Sequence, residues 1–211
     1  MLTLEDIHLL LDGFTLTASF DIAEADRVAV IGPSGGGKST LLSLIAGFER
    51  PDRGRVLWQS RDITGTAPGK RPIAMLFQDN NLFPHLDVET NVALGLGPKA
   101  TRDTRTRARE VLARVGLENM AKRRPASLSG GQQSRAALAR LLLTNRPVIL
   151  LDEPFAALGP ALRSEMLALV TGLLPEATIL MVTHDPEEAQ SFSTQTLFVE
   201  DGKVSAPRET A

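Results

Sequence analysis

Residues 27–40 read RVAVIGPSGGGKST. An apolar run with the composition of a strand passes directly into a glycine-rich turn. The apolar-periodic stretch LLSLIAGFE follows and predicts a helix. The turn fits G-x-x-x-x-G-K-[ST], with Gly32, Gly37, Lys38 and Ser39 in the defining places. Between a strand and a helix this pattern has a mechanism: glycines let backbone N–H groups wrap a polyphosphate, and the helix offers its positive end to the anion. The expected nucleotide contacts run through Gly32, Pro33, Ser34, Gly35, Gly36, Gly37, Lys38, Ser39 and Thr40. Lys38 is expected at the β- and γ-phosphates and the Ser39 hydroxyl on Mg²⁺. A chance lysine in a glycine-rich loop would not require this strand–helix context.

A nucleotide bound there calls for a carboxylate at the end of a neighbouring strand, because ligands of open α/β sheets sit at the carboxyl ends of the strands. The stretch VILLDEPFAALGP, residues 148–160, supplies it. Asp152 ends the apolar run and is the expected Mg²⁺ residue, while Glu153 is the expected general base toward the attacking water. A solvated acidic turn would not explain why so apolar a strand ends in two acids.

Strand-like segments at LTLEDIHLLL, FTLTASFDI, GRVLWQ and IAMLFQ surround the phosphate loop. From about Asp79 the patterning turns helical, with Val111, Leu112 and Val115 on one face of a predicted helix and Arg105, Arg107, Arg109 and Arg114 largely away from it. Those arginines read as a solvated face. Helix, strand, helix and strand follow, from QQSRAALARLLLTN through PVILLDEP and ALRSEMLALVTGLL to TILMVTH. TLFVEDGKVSA then reads as a hairpin on an Asp-Gly turn. The alternation points to an α/β fold of the P-loop NTPase type.

Composition fits this reading. The 211 residues are 43% hydrophobic and 23% charged, enough for a real core. A net charge of −2 gives no basic field for nucleic acid, and the absence of cysteine excludes a disulfide scaffold or thiolate zinc. No apolar run approaches a membrane span, and MLTLEDIHLL lacks a basic n-region, so a cytoplasmic protein is expected, with any membrane role exerted through a partner.

The stretch SLSGGQQSRAALAR places Ser129 where an N-cap belongs, followed by two glycines and a helix, a second end prepared for an anion. On SGG alone a capped surface helix is the better reading. Together, however, LSGGQ at 128–132, the loop at 32–39, VILLDEP at 148–154 and Thr183-His184 resemble, in order and spacing, the ATPase subunit of ABC transporters. The resemblance covers nearly the whole chain. It implies a single ABC ATPase domain over 1–211, a RecA-like core with an N-terminal antiparallel β subdomain from 1–78 and 136–211, and an inserted helical subdomain with the signature from 79–135. It also implies that Ser129, Gly130, Gly131 and Gln132 contact ATP held by a second copy, so that two cassettes form a homodimer. Gln78 matches the glutamine that touches Mg²⁺ and the water, and His184 the histidine at the γ-phosphate. RPIAMLFQDNNLFPHLDVETNVALGL and LLLDEPFAALGPALRSEML most closely resemble the ATPases of bacterial thiamine importers; iron, sulfate and polyamine importers use similar cassettes. The implied partners are transmembrane permease subunits, which would dock just after Gln78, and indirectly a periplasmic solute-binding protein. The implied location is the cytoplasmic face of the inner membrane. The length suggests a bare cassette, with no regulatory domain after the hairpin.

Two positions depart from the family. Its members usually stack an aromatic ring, often tyrosine, on adenine. This chain has no tyrosine; Leu11 falls near that place, with Phe14 close by. Gly159 stands where the family has an aspartate that links the two nucleotide sites, so looser coupling is expected. A soluble DNA-repair or ribosomal ABC ATPase would carry twin cassettes or long coiled-coil insertions. A GTPase would need an N-K-x-D element, which TNRP at 144–147 does not match.

Overall fold

The computed structural model describes residues 1–99, 101–206 and 208–209. In chain order the elements are β1 (Leu2–Leu11), β2 (Phe14–Ile22), β3 (Arg27–Ile31), α1 (Lys38–Ala46), β4 (Arg53–Trp58), β5 (Arg61–Asp62), β6 (Ile73–Leu76), α2 (Val88–Ala93), α3 (Arg102–Arg114), α4 (Gly130–Leu143), β7 (Val148–Asp152), α5 (Pro160–Leu173), β8 (Thr178–Val182), α6 (Pro186–Phe192), β9 (Gln195–Glu200), β10 (Lys203–Val204) and β11 (Arg208–Glu209), with short 3₁₀ turns between. They divide into two compact units: residues 1–75, 147–153 and 176–211, and residues 76–146 and 154–175.

The first unit is built on one sheet, ordered β5-β4-β1-β2-β10-β9-β3-β8-β7-β6, with β11 beside β9. Its two ends obey different rules. β1 pairs antiparallel with β2 and β4, and β1 and β2 alternate buried with exposed residues, as strands with one wet face do. β3, β7 and β8 run parallel, and β8 is buried at every position while β7 is buried up to Asp152. Short β-branched and aliphatic runs of this kind suit a strand covered on both faces. Leu41, Leu42, Leu44 and Ile45 of α1 join Val30, Leu150, Leu180 and Leu197 in the same core.

The second unit closes a smaller core around Val88, Val92, Leu112, Ala136, Ala139 and Leu143. It extends beyond the 79–135 expected for the helical lobe: α4 and α5 belong to it, because α4 turns its alanine and leucine face into this core. The basic face of α3 also departs from expectation. Glu89 on α2 is fully buried, with Arg109 at 2.8 Å, Lys122 at 3.2 Å and Arg105 at 3.6 Å. Burial pulls the Glu89 carboxyl upward, and the hydrogen bonds from Arg109 and Lys122 outweigh it, so its pKa lies below the ordinary carboxylate value. Two of the four arginines thus neutralise a buried acid, while Arg107 and Arg114 are exposed.

Candidate active site

The phosphate loop leaves the carboxyl end of β3 and feeds α1. Gly37, the N-cap of α1, has φ 108°, and an added Cβ would lie 2.7 Å from Cζ of Phe14. Both facts demand glycine there. No side chain caps this helix end. Lys38 is buried, and its ammonium donates to the carbonyls of Gly32 and Pro33 at 2.9 Å each. At the other end of α1, the buried guanidinium of Arg71 donates to the carbonyls of Leu44 (3.0 Å) and Ile45 (2.7 Å), and to those of Thr64 and Thr66. A cation on those orphan carbonyls favours the helix dipole and pins α1 to its neighbouring loop. A lone arginine among prolines, glycines and lysines carries no pattern, and sequence reasoning missed it.

Ser39 Oγ donates to Oδ1 of Asp152 at 3.1 Å. Burial, joined by the neighbouring charge of Glu153, pushes the Asp152 carboxyl above its usual range against the Ser39 hydrogen bond and Lys38. The backbone then turns sharply: Glu153 has φ 43°, an unusual conformation for a residue with a side chain. This twist sends two successive carboxylates in different directions. The Glu153 N–H is held by the carbonyl of Val182 at 3.2 Å. Because β7 and β8 are parallel neighbours, with Asp152 opposite Val182, the loops at their ends meet: Nδ1 of His184 lies 3.7 Å from Oε2 of Glu153. The loop carrying His184 is fixed by Thr183, which donates to Glu188 at 2.5 Å and accepts from the N–H of Asp185, itself the N-cap of α6.

A cavity of about 270 Å³ is lined by Phe14, Ser34, Gly35, Gly37, Lys38, Ser39, Thr40 and Glu153. Leu11 is not among them. At the end of β1 it pairs with Phe14 across the Asp12-Gly13 turn and packs on the core, so Phe14 is the aromatic at this cavity. Serine hydroxyl and aspartate carboxylate are the hard oxygen donors that suit Mg²⁺, an ion usually held by few protein groups together with substrate phosphates. Among the described residues no cluster of three or more His, Cys, Asp or Glu could hold a metal by itself.

The remaining expected residues lie in the second unit. Gln78 is exposed in the turn after β6. Ser129 caps α4 in a reciprocal pair: its Oγ accepts from the N–H of Gln132 at 3.3 Å, and Gln132 Oε1 accepts from the Ser129 N–H at 3.0 Å. Gly130 is exposed, and Gly131 is buried against Leu162. Gly159 is the N-cap of α5, with extended backbone and nothing within 4 Å of an added Cβ, so no local geometry requires glycine there. The turn after Gln78 is held from two sides. Arg140 donates to the carbonyls of Asn80 and Asn81, and the buried Asn91 amide clasps the backbone of Phe83; the Phe83 ring is 45% exposed.

Comparison with known proteins agrees in sequence and in shape. The profile of the family described as ABC transporter matches residues 16–156. The thiamine import ATP-binding protein ThiQ of Cereibacter sphaeroides is 54% identical over the whole chain and 93% of its own length. ThiQ of Yersinia pseudotuberculosis is 48% identical over 97% of the chain and 88% of its own length. The ATP-binding cassette MJ0796, solved as a dimer in a post-hydrolysis state with ADP and phosphate, superposes with a TM-score of 0.86 at 31% identity over all of this chain and 99% of that one. The ADP conformation of the cassette MJ1267 superposes with a TM-score of 0.87 at 26% identity, covering 99% and 91%.

Proposed function

Because the chain belongs to the ABC transporter family, we infer that it is the ATP-hydrolysing subunit of a thiamine importer, working on the cytoplasmic face of a bacterial inner membrane. One observation carries the activity: the phosphate loop and Glu153 line one cavity, with Ser39 bonded to Asp152 and Glu153 close to His184. Near-full-length identity to thiamine import ATPases carries the solute. The amides of residues 35–40 and the Lys38 ammonium position the phosphates. Ser39 and Asp152 would hold Mg²⁺, which when bound neutralises charge on the phosphate oxygens. Glu153, aimed into the cavity, accepts the proton of the attacking water, and His184 stands beside it as a donor toward the γ-phosphate.

No helix among the described residues is long and apolar enough to cross a membrane. In an importer of this family the solute path would belong to partner permease subunits served by a periplasmic binding protein. The exposed Phe83 ring, held on a clasped turn, suits an anchor for such a partner. By analogy with the dimeric cassette, two copies pair, and Ser129 to Gln132 of each meet the nucleotide of the other.

Uptake of labelled thiamine in cells lacking this chain tests the reading. The wild-type chain should restore uptake. Glu153→Gln should bind ATP normally, lower hydrolysis by about 10²–10⁴-fold and fail to restore uptake. Normal thiamine uptake without the chain would remove the solute, and full turnover in Glu153→Gln would remove the base.

A further inference from the structure

The phosphate loop is braced from behind by the far end of the chain. The turn between β9 and β10 places Gly202 against it: the Gly202 N–H donates to the carbonyl of Gly36 at 3.0 Å. The Gly202 carbonyl accepts from the N–H of Thr17 on β2 at 2.7 Å. An added Cβ on Gly202, at φ 73°, would lie 1.8 Å from the Thr15 carbonyl oxygen and 3.2 Å from Cζ of Phe14. The same Phe14 ring is what a Cβ on Gly37 would strike. The carbonyl oxygen of Val199, on β9, abuts the loop at both Gly32 and Gly36, where an added Cβ would come to 1.9 and 2.9 Å. One hairpin turn therefore touches the loop, the strand that carries Phe14, and the ring itself.

From this we propose that Gly202 is a positioning residue for nucleotide binding, setting the phosphate loop and the Phe14 wall of the cavity at a fixed separation. The proposal rests on the cavity being the nucleotide site. A rigid gap between a phosphate cradle and an aromatic wall selects a ligand with a planar ring at one end and a polyphosphate at the other, and it does so before any chemistry. The hydrogen bonds of Gly202 run to the phosphate loop and to β2, so its influence falls on binding more than on the chemical step.

The test compares wild type with Gly202→Ala in steady-state ATP hydrolysis, after ATP binding by the wild type has been measured. The added Cβ would push the turn off the Thr15 carbonyl and break the Gly202–Gly36 hydrogen bond, so the expected result is a KM for ATP raised by up to about tenfold, with kcat changed far less. A fall in kcat at unchanged KM would overturn the proposal. Should Gly202→Ala fail to fold, amide hydrogen exchange by NMR on the wild type decides. Saturating ADP should slow exchange at Gly202 about tenfold more than at Ser205, whose N–H bonds Phe198 within the same hairpin. Equal effects at both amides would overturn it. No nucleotide binding by the wild type would instead remove the underlying reading of the cavity.

Discussion

The starts of α1 and α4 both follow glycine-rich turns, yet they are finished in opposite ways. α1 opens on Gly37 in a left-handed conformation with no side-chain cap, whereas α4 opens on Ser129 inside a closed reciprocal pair with Gln132. A helix start leaves backbone N–H groups without intrahelical partners, and something must satisfy them. At α4 the protein's own side chains already satisfy two of these groups, the N–H of Ser129 and that of Gln132. At α1 the arrangement suits a ligand. The lesson is that glycine near a helix start is not one signal: at Gly37 it opens the end to an anion, and at Gly131 it lets α4 approach Leu162.

Three substitutions probe this contrast. Lys38→Ala should have the largest effect, lowering ATP hydrolysis by about 10²–10³-fold, the scale of losing one dedicated donor to developing charge. A thermal melt should show little change without nucleotide but a lost or much reduced upward shift with ATP. Ser129→Ala should invert that pattern. Removing the cap costs about 0.5–2 kcal/mol, which lowers Tm by roughly 2–4 °C per kcal/mol in a chain of this size. The ATP-induced shift should survive. If Ser129→Ala abolished the shift while Lys38→Ala kept it, the contrast would be wrong. Gly159→Asp is the smallest: an aspartate cap in place of glycine at the start of α5 should add a few tenths of a kcal/mol, read as a slight rise in Tm. The same variant tests coupling, because steeper cooperativity in ATP hydrolysis is expected if the missing carboxylate loosens the link between two sites. Unchanged cooperativity would make Gly159 silent in that respect.

The parts of the molecule legible in the sequence were those where one physical demand dominates a short window. β3, β7 and β8 are buried on both faces, so their apolar runs announced them, and the phosphate loop was read from its glycines and lysine. The Asp201-Gly202 turn likewise gave the β9–β10 hairpin, both residues having positive φ. Features set by distant chain segments were not legible. Arg71 and Glu89 look like surface charges until their partners, more than twenty residues away in the case of the α1 carbonyls, close around them. β5 is two exposed residues, too short to carry a period. Leu11 sat near the family's aromatic position, but the tight Asp12-Gly13 turn hands the cavity to Phe14 on the next strand. The start of α6 does carry a local signal, DPEE, with its cap, proline and acids. The reach of the second unit past residue 135 was not legible either, because the alanine face of α4 packs with Val88 and Leu112, distant in the chain.

The sheet order has a consequence for how the protein comes into being. β3, which launches the phosphate loop, lies between β8 and β9, and both partners are encoded about 150 to 170 residues later. A nascent chain that has already made the loop still has both edges of β3 unpaired until Thr178–Val182 and Gln195–Glu200 emerge. Such long-range parallel pairing is slow to form and exposes apolar strand edges meanwhile. A cavity built on β3 therefore takes its final form only after both of those strands have been made.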